Sequence, residues 1–425
     1  MFFGLSKYIY AYKDLRNNSI FLNSFYLILS SLISSASGFI FWIVIARFYP
    51  VADVGIASAI IGILGFISVV SLLGLDIALV RYLPDRGENI RELIDTSYFV
   101  VIFVSIFISM AVILIFKYKF LTSNTILFPI IFVLMATLSS LHSLQNQGIF
   151  IGLKKNKYSF YQAISSIIRI GFAPLFIFLG ALGIIIAYGI SLIFAFFIGL
   201  IFVKNIIDYY PSPKINKNIL FRISKFSFGN YFARIFETLP TFILPSIIVF
   251  LLGADANAYF YIAWQISLLL LIISKSLSLS LLAELVNNSS NLKYLLKRSI
   301  RLTFALLIPI IIGIILFGKT ILFLFGYEYT ENAYMILILL TLGSIPFSIN
   351  TLYVTVYRVR GRISQIVILY GIIGLVTVGG SMLLLNKFGL NSIAINWILA
   401  NILALIYILI DFYKEKRVNV PMGDY

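Results

Sequence analysis

Twelve apolar stretches, each about as long as a helix that crosses a bilayer, divide this chain of 425 residues. Crossing the hydrocarbon layer takes about 20 predominantly apolar residues in helical form. Hydrophobic residues make up 61% of the chain and charged residues only 11%, so no hydrophilic segment between the stretches is large enough to fold alone. The sequence therefore predicts an all-α polytopic membrane protein that acts within the membrane.

Hydropathy, with charges, Pro and Gly as boundaries, predicts two sets of six helices. They are expected near 19–46, 54–80, 94–116, 125–150, 159–179 and 183–203, then near 224–251, 256–283, 299–317, 332–356, 363–385 and 390–412. The predicted organisation is an interfacial segment at 1–18, an N-terminal six-helix bundle at 19–203, a cytoplasmic linker at 204–223, a C-terminal six-helix bundle at 224–412 and a cytoplasmic tail at 413–425.

The basic residues predict the orientation, because Lys and Arg are retained on the cytoplasmic side of short loops. With these helices, 24 of the 32 Lys and Arg residues fall on one side of the membrane and five on the other. The remaining three, Arg169, Arg234 and Lys275, fall inside predicted spans. Because the number of predicted spans is even, both termini lie on the same side of the membrane. The basic residues predict that this side is the cytoplasm.

Composition also excludes several classes of function. The net charge of +16 lies in loops next to the membrane, where topology and anionic lipid headgroups explain it without nucleic acid. The chain has no cysteine for disulfides or cysteine metal sites. It has no Walker-type glycine loop and no segment that could house a nucleotide-binding domain. No cofactor or metal is predicted, and the protein is not expected to be its own ATP-driven pump.

A faint internal repeat agrees with the division into halves. Four residues recur at an offset of 202 positions: Ile45, Phe48, Ala52 and Asp53 as Ile247, Phe250, Ala254 and Asp255. Because each half has six helices, the halves would be parallel repeats with a substrate path between them.

Three segments carry a resemblance to a known family. They are GLDIALVRYLPDRGEN after the second predicted helix, LLGADANAYFYIAWQ between the seventh and eighth, and FGYEYTENAYMILILLTLGSIPFSINTLYVTVYRVRGR in the tenth. Over essentially the whole chain, the sequence resembles polysaccharide-biosynthesis flippases of the multidrug/oligosaccharidyl-lipid/polysaccharide exporter (MOP) superfamily. The resemblance implies two six-helix bundles around a central cavity and transfer of a lipid-linked oligosaccharide from the inner to the outer leaflet.

The charged residues inside predicted spans are the candidate binding site, because ionisable residues within a membrane usually serve function. Counting about 1.5 Å per residue from the cytoplasmic ends, Arg234 and Lys275 lie at similar depths and Arg169 lies near the middle of its helix. Each would cost about 2.5 to 3.5 kcal/mol at a helix centre, so three together indicate a wet cavity or an anionic partner. We expect all three to line one cavity and bind a phosphate headgroup.

Structural roles compete with this interpretation at most positions. Glu237 is spaced to pair with Arg234 on the same helix, and Lys275 could snorkel to the interface. Asp76 is expected to form an interfacial pair near Arg81, with a role as a coupling carboxylate as the alternative. His142 is expected to make a helix hydrogen bond, with a proton-relay role as the alternative. The amides that could contact sugar hydroxyls, or serve as glue between helices, are Gln162, Asn230, Gln265 and Asn350.

The sequence therefore predicts a flippase in a prokaryotic cell membrane, working by alternating access on a polyprenyl-phosphate or polyprenyl-diphosphate oligosaccharide. The expected partners are this substrate, membrane lipids and the glycan polymerase or glycosyltransferases of the same pathway, with the protein itself a monomer. One alternative is a drug antiporter of the same superfamily, coupled to H⁺ or Na⁺ through Glu237. A membrane glycan polymerase or ligase is a weaker alternative, because no converging His and carboxylate constellation is present.

Overall fold

The computed structural model describes residues 19–85, 90–115, 127–212, 216–287 and 291–417. These residues form helices joined by short turns, and no strand occurs among them. Twelve helices within the described residues are long and apolar enough to cross a membrane, which confirms the predicted all-α polytopic fold. The predicted interfacial segment 1–18 and the end of the tail, 418–425, lie outside the described residues.

The helix bounds follow the predicted order. In the first half they are α1 (Ser19–Phe48), α2 (Val51–Ser71), α3 (Leu75–Tyr82), α4 (Ile90–Ile115), α5 (Leu127–Ser143), α6 (Lys157–Ile164) and α7 (Ala181–Ile207). In the second half they are α8 (Lys217–Leu252), α9 (Ala254–Asn287), α10 (Leu292–Phe323), α11 (Tyr327–Val359), α12 (Ile363–Phe388) and α13 (Asn391–Arg417).

The predicted continuous helix at 54–80 was wrong. The structure ends α2 at Ser71 and starts the short helix α3 at Leu75. Between them Leu73 has a φ of 49° and Gly74 a φ of 78°, the left-handed conformation that glycine adopts most readily. Hydropathy did not reveal this break because both flanking segments are apolar.

Several helices are longer than their apolar cores. The helices α8, α10 and α11 begin before the predicted starts at 224, 299 and 332, and α13 continues into the predicted tail. The linker predicted at 204–223 is correspondingly shorter, since α7 ends at Ile207 and α8 begins at Lys217. Hydropathy locates the membrane-embedded part of a helix, whereas backbone hydrogen bonding continues beyond it.

Two spans of the first half have irregular backbones. After α5 the chain continues through a π-helical turn, Leu144–Ile149, to Phe150–Gly152. After α6 it alternates between 3-10 and α-helical turns as far as Leu179. Ser165 and Ser166 bond back to carbonyls three residues earlier, and Pro174 lies near the start of the last 3-10 segment, so both features loosen the α-helical hydrogen-bond pattern.

The chain divides into two compact units. The first comprises the described residues of Met1–Phe48 and Ile67–Phe228, and the second those of Tyr49–Phe66 and Gly229–Tyr425. The sequence-based division assigned residues 49–66 to the N-terminal bundle, but they pack with the second unit. A Cβ at Gly55 would lie 1.8 Å from the Ala254 carbonyl oxygen, so glycine allows this part of α2 to touch the start of α9.

Within the first unit, the chain after α7 is fixed to the start of α4. Asp95 Oδ1 accepts hydrogen bonds from the Tyr209 hydroxyl at 2.5 Å and from the Ser212 backbone N–H at 2.9 Å. Both Asp95 and Tyr209 are buried. Burial and the neighbouring Asp95 carboxylate raise the pKa of Tyr209, so its hydroxyl stays protonated and remains a donor.

Candidate functional site

Arg169 lies in the first unit, in the short α-helical turn Ile168–Phe172. Its guanidinium carbon is 5.1 Å from the Phe41 ring centroid and 5.8 Å from that of Tyr188. Aromatic faces attract a guanidinium through their quadrupoles. These two rings therefore stabilise a positive charge within a membrane span.

Two small residues of α1 make room for this guanidinium. Ser37 Oγ accepts a hydrogen bond from Arg169 Nη2 at 3.3 Å and also contacts Ser166 Oγ at 2.5 Å. A Cβ at Gly38 would lie 3.3 Å from the same Nη2, which is tight for any larger side chain. The sequence Ser37-Gly38 thus fits the position of the Arg169 side chain.

His142 lies close enough to Arg169 for the two side chains to interact electrostatically. Its Nε2 is 3.5 Å from Asn146 Nδ2, one helical turn further along. Among the described residues no hydrogen-bond partner reaches its buried Nδ1. The π-helical turn starts two residues after His142, and such turns occur frequently at functional sites.

A second charged cluster lies in the second unit. Lys275 Nζ on α9 donates a hydrogen bond to Glu237 Oε1 on α8 at 2.9 Å. The sequence suggested Arg234 as the partner of Glu237 and did not predict this contact with Lys275. Arg234 and Arg358 also act electrostatically on the same carboxylate. Three cations therefore act on this one carboxylate among the described residues of the unit.

Close helix packing positions Glu237. A Cβ at Gly374 of α12 would lie 2.5 Å from the Phe236 carbonyl oxygen, so α8 and α12 approach at the residue before Glu237. Pro240 has no N–H to bond to that carbonyl in the ordinary helical pattern. The freed carbonyl therefore lies against the glycine, and the backbone that carries Glu237 is held against α12.

Hydrogen bonds between α9 and α11 position Lys275. Ser274 Oγ and Ser348 Oγ are 2.5 Å apart and buried, and Ser278 Oγ pairs with Thr355 Oγ1 one turn further on. These small polar side chains fix the face of α9 next to Lys275. The Lys275 side chain itself is 52% exposed, so its ammonium remains accessible to a ligand.

Two of the four predicted sugar-binding amides are engaged within the protein. Gln162 Nε2 donates to Gln145 Oε1 and to the Ala195 carbonyl, both at 2.8 Å. Asn350 Nδ2 donates to the Asn401 carbonyl at 2.9 Å. Both side chains are buried, which corresponds to the role of glue between helices, whereas Asn230 and Gln265 are half-buried.

Asp76 lies in the first turn of α3 and is buried. A Cβ at Gly148, in the π-helical turn, would lie 3.0 Å from the Asp76 Cα. The residue is therefore packed within the first unit, and its pairing near Arg81 at the membrane interface stays a prediction.

Sequence reasoning missed three groups at these clusters. Arg358 lies two residues beyond the tenth predicted helix, 332–356, and was counted among the basic residues outside the spans. Its neighbours have other contacts: Arg360 lies over the Phe412 ring, and Arg362 pairs with Asp411 at 3.6 Å. Phe41 and Tyr188 were indistinguishable from other aromatics in apolar helices. For Arg358, the one sequence signal of a role in the cluster was its position at the end of an apolar run.

Comparison with known families and structures identifies the chain. A profile of the family described as polysaccharide biosynthesis protein matches residues 20–282, more than half of the sequence. The chain belongs to this polysaccharide biosynthesis protein family. The matched range of this family member includes Arg169, Arg234, Glu237 and Lys275, whereas Arg358 lies beyond it. No curated protein matches the chain by sequence.

Solved structures show the fold of this polysaccharide biosynthesis protein. A lipid II flippase, MurJ, in an inward closed conformation aligns with a TM-score of 0.72 at 19% identity, covering 92% of this chain and 87% of that one. An inward-facing multidrug resistance MATE family transporter of the MOP superfamily aligns with a TM-score of 0.70 at 16% identity, covering 92% and 99%. At these identities the likeness shows the fold alone, and that fold is the MOP fold.

Proposed function

We propose that this protein is a flippase that moves a polyprenyl-phosphate or polyprenyl-diphosphate oligosaccharide from the inner to the outer leaflet of a prokaryotic cell membrane. The headgroup would bind to charged residues within the spans while the polyprenyl tail stays in lipid. The two halves would give access to each side in turn. Family membership and the MOP fold support this class of function, and the cationic residues support an anionic headgroup.

One observation carries the proposal: Arg234, Lys275 and Arg358 act on the single carboxylate of Glu237. A cluster with more cations than anions in a span is costly unless an anion or water offsets it. Arg and Lys are the usual ligands of phosphate oxygens. Arg169, held by two aromatic faces in the first unit, stays a predicted contact for the headgroup.

The membrane potential could drive this transport. Moving a charge across the membrane changes the free energy by about 2.3 kcal/mol per 100 mV. At a potential of about 100 mV, negative inside, outward transfer of a headgroup with two negative charges would be favoured by roughly 4 to 5 kcal/mol. Coupling to H⁺ or Na⁺ is therefore not required by this proposal.

The cation-coupled antiporter is the second candidate, and it needs a carboxylate that binds the coupling ion. Glu237 lies within a span but already accepts a hydrogen bond from Lys275 at 2.9 Å. Three cations already act on this carboxylate, so a further cation would be repelled from it. This observation favours the flippase. Substrate transport that collapses on removal of a H⁺ or Na⁺ gradient, but not of the membrane potential, would favour the antiporter.

Depletion of the protein in its native cell tests the flippase proposal. A lipid-linked oligosaccharide should accumulate on the inner leaflet, as measured by mass spectrometry of extracted lipids and by its protection from an impermeant glycosidase. The variant Lys275→Gln should fail to restore export. Lys319→Gln is the matched control, because Lys319 on α10 lies over the Tyr334 ring of α11 and has no part in the cluster. Absence of any accumulated lipid-linked glycan would contradict the proposal.

A further inference from the structure

We infer that Glu237 is a displaceable internal anion, which occupies the cationic cluster of Arg234, Lys275 and Arg358 when no substrate is bound and returns to it when the headgroup leaves. The inference rests on the proposed function and assigns to Glu237 a role in release. In the absence of substrate, the Glu237 carboxylate takes the place of the substrate's phosphate oxygens at these cations.

The geometry of the pair suits displacement. The contact joins two helices through one hydrogen bond at 2.9 Å, and the side chains of Lys275 and Glu237 are 52% and 24% exposed. The protein does not enclose the Lys275 side chain, so another anion can reach its ammonium without opening the helix packing. A pair that holds helices together is buried, as Ser274 and Ser348 are between α9 and α11.

The charge of the cluster suits a substrate with two negative charges. Three cations act on Glu237, and the carboxylate offsets one of them. A sugar linked through a diphosphate carries one negative charge on each phosphorus, so its headgroup exceeds the charge of the carboxylate. Such a headgroup can replace Glu237 at the cations, because the Coulomb energy grows with the charge of the anion.

Release explains why a binding site for an anion would contain an anion. Three cations without a counter-charge would hold a phosphate tightly, and tight binding before and after transfer slows turnover. When the headgroup leaves, Glu237 restores the neutralising contact with Lys275, which offsets part of the lost interaction. Glu237 thus lowers the affinity for substrate and raises the rate of release.

The test compares wild type and Glu237→Gln by binding and by transport. The probe is N-acetylglucosamine linked to farnesol through a diphosphate, with the uncharged farnesyl ether of the same sugar as reference. The Gln variant should bind the charged probe about fivefold to tenfold more tightly, which is the effect of removing one nearby negative charge in a hydrated site. In proteoliposomes its multiple-turnover transport should fall by a similar factor, with a lower KM.

Glu284→Gln is the matched control, because Glu284 pairs with Arg298 at 3.9 Å on the exposed surface of the same unit. Its affinity and turnover should equal those of wild type. Glu237→Ala removes the same charge and replaces the Gln variant if that protein is not recovered folded by size-exclusion chromatography. Unchanged or weaker binding in the neutral variants would overturn the role of Glu237 alone. Wild-type binding of the charged probe no tighter than that of the ether would instead overturn the phosphate site of the proposed function.

Discussion

Asn257 Nδ2 donates a hydrogen bond to the Gly55 carbonyl oxygen at 2.7 Å, across 202 residues of sequence. This separation equals the offset of the faint internal repeat, so equivalent positions of the two halves touch each other. Asn257 also donates to Ser58 Oγ at 2.9 Å and is fully buried. The contact joins the start of α9 to the part of α2 that packs in the second unit.

Replacing Gly55 with Ala should destabilise the protein strongly. The new Cβ would overlap the Ala254 carbonyl oxygen at 1.8 Å, and backbone cannot move aside as a flexible side chain can. We expect a loss of at least about 3 kcal/mol, at the upper end of overpacking substitutions, measured as a lower Tm in detergent. Gly313→Ala is the control, because no atom lies within 4 Å of its added Cβ. An equal Tm for both variants would contradict the close α2–α9 contact.

Replacing Asp95 with Ala should weaken the first unit. The change leaves the Tyr209 hydroxyl and the Ser212 N–H without their acceptor, and each unsatisfied buried donor costs about 1 to 3 kcal/mol. Asp208→Asn is the matched control, because it removes the charge of an exposed pair with Arg91 at 3.8 Å, which should contribute little, and Asn tolerates the left-handed backbone of this residue (φ 49°). Thermal unfolding followed by tyrosine fluorescence measures both. A Tm of D95A as high as that of D208N would show that Asp95 does not fix this segment.

The asymmetry of basic residues predicts the orientation in the membrane. In a chain that has no native cysteine, Asn386→Cys should react with an impermeant thiol reagent added outside intact cells. Asn291→Cys should react only after the membrane is permeabilised. Both positions are exposed in the structure, so access through the protein does not limit the reaction. The opposite labelling pattern would reverse the orientation and the direction of transport.

Replacing Arg169 with Gln should reduce glycan export by more than about tenfold while leaving the protein inserted, since a loss of about 1.4 kcal/mol in binding already gives that factor. Arg169→Lys should retain part of the activity, because it keeps the charge but loses the planar group that lies between Phe41 and Tyr188. Lys204→Gln, over the exposed Tyr210 ring, should export normally. Full export by R169Q would remove Arg169 from the substrate site.

For the charged residues of the site, the sequence predicted the positions but not all of the contacts. Their positions inside spans were predictable, because a charge within an apolar run is visible in the sequence. The contact of Glu237 with Lys275 was not predictable. Spacing along one helix suggested Arg234, three residues away, which does act on this carboxylate, but the approach of α9 to α8 also brings Lys275 to 2.9 Å. Spacing describes only neighbours on the same helix, and contacts between helices depend on which faces meet.

By itself, the sequence determined the twelve spans, their order and the cationic character of the residues within them, because the cost of exposing polar groups to lipid makes hydrophobic length decisive. Tertiary structure alone decided that α2 stops before Gly74, that residues 49–66 pack with the second unit, and that Gln162 and Asn350 bond to neighbouring helices. These outcomes depend on close packing between small residues and on hydrogen bonds between distant segments. Hydropathy carries no information about either, since every apolar helix satisfies the membrane equally well.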